Sequence, residues 1–142
     1  CKELVWIVQD GAQIKPGTNA HEPFGFAKDG ASDTDLVSSA VLQLNGHDRF
    51  REREGTHFRT VQPFQHHENV PNNVGINVYS FALKPEEHQP SGTLNMSRID
   101  SATLSLDYVS GAGGSGKSVS IYAVNYNVLR ILSGMGGIAY SN

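Results

Sequence analysis

The chain has 142 residues, of which 38% are hydrophobic and 18% charged, and its net charge is -3. That length and balance fit one globular domain with a single core and exclude a disordered chain. The bulk basic charge of a nucleic-acid binder is missing, the single cysteine, Cys1, excludes an internal disulfide, and no run of about eighteen apolar residues is there to span a membrane.

The 15 glycines and 6 prolines are spread along the chain. Frequent turns between short apolar runs predict an all-β architecture. Leu4 to Val8 (LVWIV) is a continuous apolar run of strand length, expected to be buried on both faces. A strand so close to Cys1, without a leader sequence before it, predicts a processed piece or a fragment of a longer chain. Residues 11 to 30 read as loop, broken by Pro16-Gly17 and Pro23.

Residues 32 to 44 carry two periods. Leu36, Val37, Ala40, Val41 and Leu44 fit a helix, with Ser32 or Asp33 as a cap, while Ala40, Leu42 and Leu44 fit a strand. Asn45-Gly46 favours the strand, because a two-residue hairpin turn needs positive φ at both positions. A strand over 41–44 is therefore expected, followed by a solvated charged segment over 48–54. Residues 56 to 73, rich in His, Gln and Asn, are expected to be irregular with room for one short helix.

Ile76 to Leu83 reads as a strand whose apolar phase slips at Val78-Tyr79, a sign of a bulge or of burial on both faces. Ala102, Leu104, Leu106 and Tyr108 alternate with polar residues, the pattern of a strand with one wet face. After the glycines of 111–116, residues 119 to 132 are expected to form one long strand or two. Gly134 to Gly137 should end that run, and Ile138 to Tyr140 should form a short last strand.

Gly111 to Ser118 (GAGGSGKS) matches the phosphate-binding pattern G-x-x-x-x-G-K-[ST]. Such a loop holds phosphate only at the N-terminus of a helix, and Val119 to Val124 is β-like, so a strand-connecting loop is the better reading. His57, His66, His67 and His88 lie near Glu68, Glu86 and Glu87. Zinc needs three or four convergent ligands, and adjacent histidines in an extended chain point apart, so no metal or other cofactor is expected. Arg49, Arg51, Arg53 and Arg59 alternate with Asp48, Glu52 and Glu54, a self-neutralising surface. No nucleophile elbow occurs, and no catalytic residue is assigned. Asn95-Met96-Ser97 is a glycosylation sequon, which makes Asn95 a candidate acceptor in a permissive compartment. A carbohydrate-binding module would use Trp6, Tyr108, Tyr122 or Tyr126, but core packing is the expected role of Trp6, Tyr122 and Tyr126.

Three stretches together are similar to one family: residues 89–100 (QPSGTLNMSRID), residues 122–142 (YAVNYNVLRI followed by LSGMGGIAYSN) and, more weakly, residues 2–8 (KELVWIV). They resemble the C-terminal region of the major capsid proteins of nucleocytoplasmic large DNA viruses, the group of iridoviruses and chloroviruses. The resemblance implies an antiparallel β-sandwich, a single jelly roll over 1–142 that is the second of a tandem pair. It implies a shell protein rather than an enzyme, assembling as homotrimers with a pseudo-hexagonal outline. Its partners would be its own copies, neighbouring capsomers and minor capsid proteins, in the virion, after synthesis in the host cytoplasm.

Within those stretches Gly92, Gly134 and Gly137 are expected at turns or close backbone approaches. Arg98 and Ser97 are expected to secure a turn. At least one of Asn95, Asn125 and Asn127 is expected to be buried and bonded to backbone.

Overall fold

A computed structural model describes residues 1–10, 24–27, 34–110 and 116–140. Most of the 11–30 loop, Ser32, Asp33 and residues 111–115 lie outside the described residues.

β1 (Glu3–Asp10) is the centre of the first sheet, flanked on both sides by antiparallel partners, β5 (Ile76–Ser80) and β7 (Lys117–Val124). The long apolar run is explained by that position. Leu4, Trp6 and Val8 point into the core and are buried, while Val5 and Ile7 on the other face are half-buried. β2 (Val37–Leu44) is the centre of the second sheet. β6 (Ala102–Tyr108) pairs along its whole length, and β3 (His47–Asp48) and β4 (Arg53–Glu54) each pair with a short stretch of it. β8 (Leu129–Leu132) and β9 (Met135–Ile138) form a separate hairpin. The sheets are antiparallel throughout, as an all-β sandwich requires.

The second sheet is longer than expected. β2 begins at Val37 rather than residue 41, and no helix forms there. The register shifts between Val37 and Ser39. This bulge inserts one residue, so Val37 and Ala40 both face inward although they are three apart. Asn45 and Gly46 have φ of 52° and 78° and turn β2 into β3. The Asn45 carboxamide also accepts from the Asp100 and Ser101 amides (2.9 and 3.2 Å), tying the turn to the start of β6.

The core lies between the two sheets. Leu4, Trp6 and Val8 meet Leu36, Val37, Ala40 and Leu42, and Phe58 fills the space between them. Phe58 comes from the stretch read as irregular. That stretch contains one π-helical turn (His57–Val61) running into α1 (Gln62–His66), with Pro63 in the first turn of α1. The Phe58 ring lies 5.2 Å from Trp6 and 5.3 Å from Phe50, and Phe50 lies 4.8 Å from Tyr79. This chain of tilted rings joins both sheets through contacts more favourable than their area alone.

Two differences concern the last third. β9 spans Met135–Ile138, so the glycines expected to end the strand lie inside it, and Ile138 closes the last strand instead of opening it. The reason is a two-residue turn at Ser133-Gly134, with φ of 53° and 77°, which carries β8 directly into β9. Tyr122 and Tyr126, expected in the core, are 57% and 44% exposed: Tyr122 lies opposite Val5, on the face of the sheet away from Trp6, and Tyr126 carries the Lys2 ammonium 5.0 Å from its ring centroid.

Asp35 gives a testable pH effect. It accepts from the Val37 amide at 3.0 Å, and its carboxylate is largely withdrawn from water. Burial raises its carboxyl above the ordinary range, opposed by the Val37 amide and by the Arg59 charge. The unfolded chain therefore ionises first, and stability falls as pH rises from the ordinary carboxylate range through the raised value. Asp35→Asn keeps the acceptor and removes the charge. It is expected to raise the urea midpoint at about pH 7 and leave it unchanged near pH 3, where both states are protonated. An equal gain at both pH values would mean that ionisation is not the cause.

Candidate interaction surface

The phosphate-loop reading fails its structural condition at Lys117. Residues 111–115 lie outside the described residues, but Lys117 to Val124 form a strand paired with β1 from Lys117↔Asp10 to Val124↔Glu3. No helix follows the glycines, so there is no helix N-terminus to hold a phosphate.

The histidines do not converge. His66 and His67 line one cleft with Gln65, Glu68, Lys84, Glu86 and Glu87, whereas His57 lies at another with the Arg51–Glu54 segment. Within the first cleft the two rings diverge. The His66 Nδ1 is 2.9 Å from the Leu83 carbonyl, and the His67 Nε2 is 2.7 Å from Glu3. Glu86 accepts from the Glu68 amide, and Glu87 pairs with Lys84 at 2.9 Å, which raises the lysine. His57 is pushed down by burial and then by the Arg53 charge. Among the described residues no three His, Cys, Asp or Glu side chains are placed to hold a metal. No described helix is long and apolar enough to cross a membrane.

Gly92, Asn95, Ser97, Arg98, Asn127 and Gly134 sit at turns and chain ends. Asn95 caps a single 3-10 turn (Met96–Arg98), its side chain accepting from the Ser97 amide at 3.1 Å. The Arg98 amide closes that turn on the Asn95 carbonyl at 3.1 Å, and the Arg98 side chain is exposed. Gly92 has φ of 134°, and a Cβ there would lie 3.1 Å from the Phe81 carbonyl oxygen, so both conformation and space call for glycine.

Asn127 closes the open end of the last hairpin. Its carbonyl accepts from the Val128 and Tyr140 amides (2.8 and 3.2 Å), and its amide donates to the Tyr140 carbonyl at 2.7 Å. Asn95, Asn125 and Asn127 are nevertheless all exposed, which corrects the expected burial. The asparagine that is fully buried is Asn77, opposite Trp6 in β5, and neither a turn nor a motif marks it in sequence. Gly137 also departs from expectation. It lies within β9, and a Cβ there or at Gly136 would meet nothing within 4 Å.

The dominant surface feature is apolar. Between Val119 and Tyr140 all twelve large hydrophobic residues are 40% to 73% exposed. Soluble proteins seldom leave such a stretch bare, and a contiguous one marks an interface. Among the described residues the sheets thus carry no convergent metal chemistry, and the exposed apolar side chains of β7 lie on both of its sides.

The family model for the large eukaryotic DNA virus major capsid protein matches residues 1–137. The chain belongs to that family. It is 67% identical over 108 residues to the major capsid protein of Phaeocystis pouchetii virus, covering 75% of this chain and 21% of that protein. It is 46% identical over 164 aligned positions to the major capsid protein of Pyramimonas orientalis virus, covering 99% of this chain and 36% of that protein. Among solved structures it is similar to a chain of the PBCV-1 virus capsid, with a TM-score of 0.72 and 38% identity, over 99% of this chain and 43% of that one. The chain therefore spans less than half the length of these relatives. Its sandwich is of the jelly-roll type found in these capsid proteins.

Proposed function

We propose that this chain, residues 1–142, is a single jelly-roll domain from the C-terminal part of a longer major capsid protein, and that its work is to build an icosahedral shell. The longer polypeptide assembles as a homotrimer with a pseudo-hexagonal outline. Its partners are its own copies, neighbouring capsomers and minor capsid proteins, and its place is the virion, after synthesis in the host cytoplasm. It catalyses no reaction. The observation that carries this reading is the likeness to a PBCV-1 capsid chain over 99% of this one. Gly92, Asn95, Ser97, Arg98, Asn127 and Gly134 act structurally, by holding turns and chain ends, whereas Gly137 lies within β9 and Asn125 is exposed. Asn95, being exposed, is available for glycosylation where the compartment permits.

Native mass spectrometry of the longer polypeptide tests the reading, with and without ATP and magnesium. A trimer indifferent to ATP, and unchanged by Lys117→Ala, is the expected result. A monomer that gains the mass of a nucleotide, and loses it in the Lys117→Ala variant, would overturn it.

A further inference from the structure

We propose that the cleft beside β4, where Arg51 and Arg53 meet Thr56 and His57, binds a single phosphate group. The inference goes beyond the shell-building reading and does not depend on it.

The first observation is how the strand sorts its charges. Alternation over residues 51–54 (RERE) predicts a surface that neutralises itself. Successive residues of a strand point to opposite faces, however. Arg53 stands opposite Ala40, whose side chain is buried, and Glu54 stands opposite Ser39. The acidic side chains gather around Ser39. Its hydroxyl donates to Glu52 at 2.6 Å and lies 3.0 Å from Asp107. Glu52 and Glu54 still border the cleft, but Arg51 and Arg53 are the groups left to face the π-helical turn, beside Thr56 and His57. Among the described residues the ion pairs are Glu3–His67 and Lys84–Glu87, so neither arginine is neutralised by a carboxylate.

The second is a relay that fixes the His57 ring. Gln62 is buried, and its carbonyl accepts from the Ser80 amide at 3.2 Å. That orientation turns the Gln62 amide nitrogen to the His57 Nε2, 3.4 Å away. An amide nitrogen only donates, so Nε2 is the acceptor and the ring proton sits on Nδ1. Burial, and then the Arg53 charge, push His57 below the ordinary histidine range, which keeps the ring neutral near pH 7. The cleft thus holds two guanidinium forks and a fixed neutral N–H donor. The Thr56 hydroxyl beside them makes no capping bond to the turn.

These donors select the ligand. A guanidinium fork binds two oxygens of a phosphate side by side. A carboxylate has two oxygens and is used up by one fork. A phosphate has oxygens for both forks and for the histidine. A polyanion fits poorly, because nucleic acid is held through many phosphates, and Asp107 with Glu52 lies across the same strand. The ligand is therefore a single phosphate group, either free in solution or on a lipid headgroup.

The test is equilibrium dialysis of radiolabelled inorganic phosphate against the longer polypeptide that carries this chain. Saturable binding of one ion per chain, displaced by sulfate, is expected. Arg51→Gln with Arg53→Gln should weaken it at least about 10-fold, the loss of one charge-assisted hydrogen bond. His57→Phe keeps the ring against Phe58 and removes the donor, for a loss of about 3- to 10-fold. Arg51→Lys with Arg53→Lys keeps the charge without the forks, and intermediate binding is expected from it even if the glutamine variant fails to fold. Lys117→Ala should bind as the parent does. Vesicles of phosphatidylcholine with and without phosphatidic acid separate the two sources. Arginine-dependent capture by the phosphatidic acid vesicles, competed by free phosphate, assigns the group to a headgroup. Phosphate binding without capture assigns it to a soluble ligand. No saturable phosphate binding would overturn the proposal. So would binding that survives loss of both arginines in a folded variant, or binding that is lost with Lys117.

Discussion

Trp6→Ala is expected to bring the sandwich close to unfolding. Trp6 is fully buried in the central strand of the first sheet, and its ring leans on Phe58, which in turn contacts Phe50. Truncating a buried tryptophan removes apolar contact and leaves a cavity, for a cost of about 3–5 kcal/mol. A typical domain has only about 5–15 kcal/mol in total, and here one side of the core is open at β7. The cavity would sit where both sheets and the π-helical turn meet, so no single element can close it by moving. Trp6→Phe separates packing from polarity. The indole nitrogen finds no hydrogen-bond partner among the described residues, and phenylalanine removes that buried N–H while keeping most of the ring. The expected loss is less than about 2 kcal/mol, because the smaller ring leaves a smaller void. Urea titrations followed by far-ultraviolet circular dichroism give both numbers without relying on the lost fluorophore. Equal losses for the two variants would mean that the indole nitrogen, and not ring packing, matters at this site.

What was legible in the sequence follows from which signals are local. Strand β6 could be read directly because Leu104 and Leu106 keep strict alternation, and the β2–β3 turn because Asn45-Gly46 can do little else. The start of β2 was ambiguous for a physical reason. The bulge at Ser38-Ser39 restores Ala40 to the face of Val37, which gives the spacing of a helix over four residues. The Ser133-Gly134 turn was hidden because serine at a positive φ is uncommon, so Gly134 to Gly137 resembled a terminator. Phe58 was hidden because its burial depends on a helical turn that polar neighbours obscure. The exposure of residues 119–140 was missed for the opposite reason: apolar residues signal burial but not by what. Tyr122 and Ile121 carry the sequence marks of a core strand, yet their cover is not within the described residues.

Gly55→Ala is expected to damage the second sheet as severely as a core truncation, although nothing in the local pattern singles Gly55 out. It is buried at the end of β4, and a Cβ there would overlap the Val37 carbonyl oxygen. A flexible side chain could yield, but a carbonyl cannot, since Val37 is where β2 meets β6 and where the bulge sets the register of everything after it. The methyl group must therefore displace β4 or shift β2. Either move disturbs Val37 and Ala40 in the core, for an expected loss of about 3 kcal/mol, the upper part of the range for overpacking. Gly137→Ala is the control with the same chemistry and the opposite surroundings. In the 142-residue chain its methyl group meets open space, so stability should be unchanged or slightly increased as the unfolded chain loses freedom. Chemical denaturation of Gly55→Ala and Gly137→Ala thus distinguishes a glycine required by the fold from one with open space beside it. A loss at Gly137→Ala as large as that at Gly55→Ala would mean that a neighbour outside the described residues comes close there, whereas a neutral variant would make β9 a strand that tolerates its glycines rather than one that uses them.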